Sequence, residues 1–239
     1  MLAWWEERPE DLAAYVESVA NLADLVVAFD GAYPITPGAT IASDPEQAAA
    51  IRDAATAAGL EAEVVVPDRL WKGQVEKRDA MLRLAASRAD WLLGLDTDCR
   101  VICNRAAVRA ELKTTDADSI LHDFYTPAPD DPAEVVRLSP HPWHTGCAGR
   151  TIEHSLLMRA LPAMRVEQVH WGYSGVKHGR RITLGRFSTD RYPAGVYRRL
   201  KAELRIDHLC FARDEARLER NRRYSARRDR FKMAHGFEP

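Results

Sequence analysis

Two hydrophobic rhythms alternate along the first part of the chain, and their order predicts its fold. Leu2–Trp4 is a short apolar run that reads as a first strand. Leu12, Tyr15, Val16, Val19 and Leu22 then recur at helical spacing, after a Pro9 suited to a first helical turn and with Glu10 and Asp11 at its positive end. Residues 24–30 form a second apolar run ending at Asp30, and Pro34, Pro37 and Gly38 mark residues 31–41 as a loop. Asp44 is placed to cap a helix opened by Pro45 and closed by Gly59. Ala62–Val66 predicts a third strand, and an amphipathic helix follows from Val75. Trp91–Leu95 is apolar without alternation, the pattern of a strand buried on both faces. Strands alternating with helices predict an α/β fold, a doubly wound, mostly parallel, Rossmann-like sheet.

The pattern weakens after Asp98. Asn104 is placed to cap a helix running to Leu112, and Ser119–Phe124, Val135–Leu138, Arg165–Tyr173 and Arg181–Leu184 read as strands. Ile206–His208 is a short strand, and a long basic helix is expected from about Asp214 to Lys232. The chain thus divides into two halves, 1–104 and 105–239, of one continuous domain.

Chemistry gathers where the apolar runs end. If the extended geometry of Trp91–Leu95 continues, Asp96 and Asp98 point the same way, at the edge where open α/β sheets bind ligands. Paired carboxylates there suit Mg²⁺ or Mn²⁺, although an acidic loop after a strand has the same sequence. Lys77 and Arg78 sit in a helical first turn, where positive charge opposes the helix dipole. A phosphate sharing the site would explain them, and so would neutralisation by Glu76 and Asp79.

Composition and charge narrow the picture. The 239 residues are 46% hydrophobic and 29% charged, as in ordinary globular domains, with no apolar stretch of membrane-spanning length and no pattern of a signal peptide at Met1. Four scattered cysteines suit free thiols in a reducing, cytoplasmic setting. Residues 1–176 hold 16 Lys/Arg against 27 Asp/Glu, whereas 177–232 hold 18 against 7. The basic end either faces an anionic partner or is a solvated helix.

Four segments occur in a definite order: a strand ending in Asp30, the Lys77-Arg78-Asp79-Ala80 helix start, Asp96-Thr97-Asp98, and Ile206-Asp207-His208 followed by Arg213. In this combination the chain resembles the GT-A fold of nucleotide-sugar-dependent glycosyltransferases, most like family 2, over residues 1–104 and again over about 204–230. The resemblance implies that Asp30 binds the nucleoside and that Lys77 and Arg78 contact the nucleotide. It implies that Asp96 and Asp98 hold metal and diphosphate, with His208 completing the metal shell. Arg213 is placed to add a donor to the phosphates. Residues 157–170 also resemble a family stretch ending in His-Glu, but Trp171 stands where the family has its glutamate.

The resemblance implies metal-dependent transfer of a hexose, by default from a UDP-sugar, to a hydroxyl of a protein or saccharide, with inversion at the sugar. Inversion needs a group to deprotonate the acceptor, and Asp123, Glu153, Glu167 and His170 are the candidates. His170, at the family's histidine position, leads, followed by Glu167. The aromatic residues Trp143, Trp171 and Tyr173 suit stacking on an acceptor or packing between sheet and loop. Transfer to modified DNA bases, or nucleotide-sugar binding without catalysis, are the alternatives. A pyrophosphorylase would need a glycine-rich loop after the first strand, where Trp5-Glu6-Glu7-Arg8 stands, and a dehydrogenase would need GxGxxG.

Overall fold

Local chemistry starts each early element where the pattern places it. In the computed structural model, which describes residues 1–36, 38–138, 146–168, 172–184, 196–212 and 218, 219, 222, 223, 226 and 227, helix α1 (Pro9–Val19) buries Leu12, Tyr15, Val16 and Val19. Helix α2 (Pro45–Ala57) is capped by Asp44, whose carboxylate accepts from Glu46 N at 2.9 Å. Helix α3 (Gln74–Ala86) buries Met81, Leu82 and Ala85, and also Lys77 and Arg78. Strands β1 (Leu2–Ala3), β2 (Leu25–Phe29) and β3 (Glu61–Val65) pair in parallel in the order β1-β2-β3.

The remaining strands are, in chain order, β4 (Trp91–Leu93), β5 (Cys99–Cys103), β6 (Ser119–Thr126), β7 (Arg150–Arg159), β8 (Arg165–Gln168), β9 (Gly172–Lys177), β10 (Arg180–Leu184), β11 (Tyr197–Arg199) and β12 (Leu204–His208). Six of them form a mixed sheet in the order β4-β7-β6-β12-β5, with β11 also alongside β6. There β4 and β6 run antiparallel to β7, and β12 runs antiparallel to β5 but parallel to β6. Strands β8, β9 and β10 form a separate antiparallel sheet. The architecture is therefore mixed α/β rather than one mostly parallel sheet: the first three strands pair wholly in parallel, whereas in the mixed sheet β6 is parallel to β11 and β12 and the other pairings are antiparallel. Beyond β4 most connections lack the long helical crossover that a parallel neighbour requires.

The parallel sheet and the six-stranded mixed sheet meet at Met1. Its nitrogen donates to Leu93 O at 2.6 Å, and Leu95 N donates to its carbonyl at 3.3 Å. One apolar core runs beneath both, from Leu2, Val16 and Ile51 to Ile120, Met158 and Ile206. The mixed sheet takes strands from both halves of the chain, so the two halves share it.

Three expectations are corrected. Val135–Leu138 belongs to helix α5 (Pro132–Leu138), not to a strand. Pro132 suits its first position, with Glu134 in the first turn and Arg137 in the last, as the helix dipole favours. Arg165–Tyr173 is not one strand, because β8 turns back antiparallel as β9, with Val166 opposite Tyr173. The apolar run at Trp91 ends as a strand at Leu93, and Cys99 N donates to Asp96 O at 3.0 Å across a turn. Asp96 and Asp98 therefore do not share one face of an extended strand. Strands β5 and β7 had no expectation. The helix expected from about Asp214 to Lys232 lies mostly outside the described residues. No described helix is long and apolar enough to cross a membrane.

Candidate functional site

Strand β2 ends at Asp30, which is only 2% exposed. Its carboxylate accepts from Gly31 N (2.6 Å), Ser43 Oγ (2.6 Å) and Ser43 N (2.7 Å). Trp71 Nε1 donates to the Asp30 carbonyl at 2.7 Å. These bonds tie Ser43 back to the end of β2. Gly31 has φ +100°, and a Cβ there would lie 2.6 Å from Pro67 Cγ and 2.7 Å from Ile41 O, so the turn requires glycine. The residue expected to bind a nucleoside is thus held inside its own loop, with Trp71 beside it.

Lys77 is equally enclosed. Its ammonium donates to Trp4 O at 2.6 Å and to Gly31 O at 2.7 Å, joining the carboxyl ends of β1 and β2, and lies 5.7 Å from the Tyr33 ring. Burial pulls its pKa down to about 7, with the Asp30 charge opposing that shift. One residue further along α3, Arg78 turns to the turn after β4, where its guanidinium is 3.6 Å from Asp96 Oδ1. Tyr173 of β9 stands beside this pair. Burial pushes its hydroxyl up to about 12, while Arg78 pulls it down and Asp96 pushes it up. The Asp96 side chain is 44% exposed, the accessible carboxylate of the group.

Asp98, by contrast, is 5% exposed and has its Oδ2 3.5 Å from His208 Nε2. Strand β12 brings them together, because its antiparallel pairing with β5 sets His208 opposite Cys99. Burial opposes a charge on His208, but the Asp98 carboxylate, with hydrogen bonding to Asp98 and Cys210, outweighs it and raises the pKa to about 10. The pair is an ion pair in a largely closed setting, flanked by the Phe124 ring 5.2 Å from the imidazole.

The donor set does not fit a metal held by the protein in this geometry. Asp96 faces Arg78, Asp98 faces His208, and no three His, Cys, Asp or Glu side chains gather into a metal-holding group among the described residues. No step is therefore assigned to Mn²⁺ or Mg²⁺.

The base candidates divide by position. His170 and Arg213 lie outside the described residues, as do Trp143 and Trp171. Glu167 accepts from Ser174 Oγ and lies 3.3 Å from Arg165 and 3.7 Å from Arg181, within the β8–β9–β10 sheet. That sheet abuts the site, since Val166 N donates to Asp79 of α3 at 3.1 Å. Asp123 and Glu153 are both bridged by Arg199 at 2.8 Å. Tyr173 was visible in the sequence only as one aromatic among several, and nothing there placed it against Arg78. Cys99, Cys103, Cys147 and Cys210 form no disulfide, as their scatter predicts.

The group thus brings together a buried Lys77 engaged with the Trp4 and Gly31 carbonyls, the Arg78–Asp96 pair with its Asp96 carboxylate open, and the buried Tyr173 beside that pair. Such a set can bind an anion and orient a polar partner. No protein-family model matches the chain, and no curated protein matches it.

Proposed function

We propose that this protein is a glycosyltransferase that binds a nucleotide-diphosphate sugar, with a UDP-hexose favoured, at the edge where β1, β2 and β4 end. One observation carries the proposal: Arg78 and the exposed Asp96 lie 3.6 Å apart at that edge, with the Lys77 ammonium beneath the neighbouring strand ends. Open α/β sheets bind ligands at this position. The Arg78 guanidinium suits an oxygen of the diphosphate, where charge develops as the leaving group departs. An acceptor hydroxyl of a protein or saccharide attacks the anomeric carbon and the bond to the phosphate oxygen breaks. The nucleotide diphosphate leaves with the bonding electrons, and the hydroxyl proton passes to a base. His170 is the favoured base, with Glu167 second.

Binding without catalysis is the second reading, favoured by the engagement of Asp98 with His208. One experiment separates the two. The protein is incubated with a panel of nucleotide sugars, with Mn²⁺ or with a chelator, and release of free nucleotide is followed. Release that Arg78→Ala and Asp96→Asn each lower by tenfold or more is the expected result. A rise in Tm with UDP but no release with any donor would favour the binding role. Neither release nor a Tm rise would overturn both.

A further inference from the structure

Strand β9 lays one side of its pleat against the core. Directly paired residues share a face, so Tyr173 stands in one row with Val166 of β8 and Leu184 of β10. All three are buried, Tyr173 to 1% exposure. Its two neighbours are aliphatic, and a phenylalanine would fill the middle place equally well. Position 173 carries a hydroxyl instead, and a buried hydroxyl costs stability unless it is hydrogen-bonded.

The row grips α3 at consecutive residues. Val166 N donates to Asp79 Oδ1 at 3.1 Å. The Tyr173 hydroxyl has no hydrogen bond of full geometry. Arg78 acts on it by charge and as a donor, and Asp96 acts on it by charge. The Arg78–Asp96 contact is itself long, 3.6 Å, an ion pair rather than a close hydrogen bond. A carboxylate attracts a guanidinium and offsets its charge, whereas a phenolic oxygen orients it and leaves the charge intact for an anion.

We propose that Tyr173 is a positioning residue for the nucleotide site: its hydroxyl accepts from the Arg78 guanidinium and fixes the plane in which the remaining donors meet a diphosphate oxygen. This role rests on the proposed site, where Arg78 meets the phosphates. Helix α3 then supplies the place of Arg78, and the small antiparallel sheet supplies its direction. The donor site is complete only when that sheet, from the second half of the chain, has folded against the first half.

Tyr173→Phe removes the oxygen and keeps the ring, so it tests the role in the full chain. In the free protein, solvent exchange of the Arg78 Nε proton, assigned by its loss in Arg78→Lys, should quicken by about tenfold. UDP affinity measured by titration calorimetry should fall about tenfold, with Tm lowered by less than about 4 °C. In an Arg78→Lys background, which lacks the planar fork, Tyr173→Phe should cost about twofold at most. The same loss in both backgrounds, or exchange and affinity both unchanged, would overturn the role. A larger fall in Tm with unchanged Arg78 exchange would leave Tyr173 as packing alone. A parent that binds no UDP would overturn the nucleotide site, and the exchange rate would still decide whether Tyr173 orients Arg78.

Discussion

Two buried side chains make the sharpest residue-scale tests. Lys77→Met leaves the Trp4 and Gly31 carbonyls without their donor, and an unsatisfied buried acceptor costs about 1–3 kcal/mol. Urea unfolding of the variant should show a loss of at least about 2 kcal/mol, because two acceptors are orphaned together. His122 is the second. Its Nε2 accepts from Leu156 N at 3.1 Å, so Nδ1 carries the proton and faces Asp123 O at 3.2 Å. Burial pulls its pKa down to about 4 from the ordinary 6.5, with the hydrogen bond to Asp123 opposing that shift. The unfolded chain then takes up a proton first as pH falls. The histidine's contribution is complete above pH 6.5 and is lost between there and pH 4, by about 3 kcal/mol. Stability measured from pH 7 to 4 should fall less steeply in His122→Gln, although that variant starts lower. An equal slope would refute the assignment. None of this was legible in the sequence, where Lys77 suited either a phosphate or neutralisation by Glu76 and Asp79 and His122 carried no expectation of its own; burial decided both.

At the scale of elements, what was legible followed from local signals. Asp44 before Pro45, and Pro9 with its acidic followers, act within one turn, so α1 and α2 stand where the pattern put them. Asp44→Ala should cost about 1 kcal/mol in thermal unfolding and leave nucleotide binding unchanged, since its carboxylate is engaged with Glu46 N at the start of α2. Gly31→Ala should cost more, because its φ of +100° and the contacts with Pro67 and Ile41 both forbid a Cβ. It should also disturb the loop that encloses Asp30, so weaker UDP binding is expected alongside lower stability. The misread elements share a cause. Alternation along Arg165–Tyr173 fits a straight strand and a hairpin equally, and the short apolar stretch at Val135 has no length to separate strand from helix.

At the scale of the whole molecule, the proposed function makes UDP a stabiliser of the folded state. Saturating UDP should raise Tm in the parent and in Asp44→Ala, but not in Arg78→Ala, as differential scanning fluorimetry would show. An equal rise in Arg78→Ala would remove that residue from the site. The sequence by itself determined the order of early strands and helices, because caps, prolines and periodicity act over a few residues. It also put Asp30, Arg78 and Asp96 at the ends of elements, where a sheet edge gathers them. Tertiary structure alone decided which carboxylate is open and which is closed. Asp96 and Asp98 are chemically identical and two residues apart, yet β12 closes His208 over one while α3 offers Arg78 to the other. Pairings between segments about a hundred residues apart leave no periodic trace in the chain, because they depend on which strand edges meet, and that is set only when the whole sheet assembles.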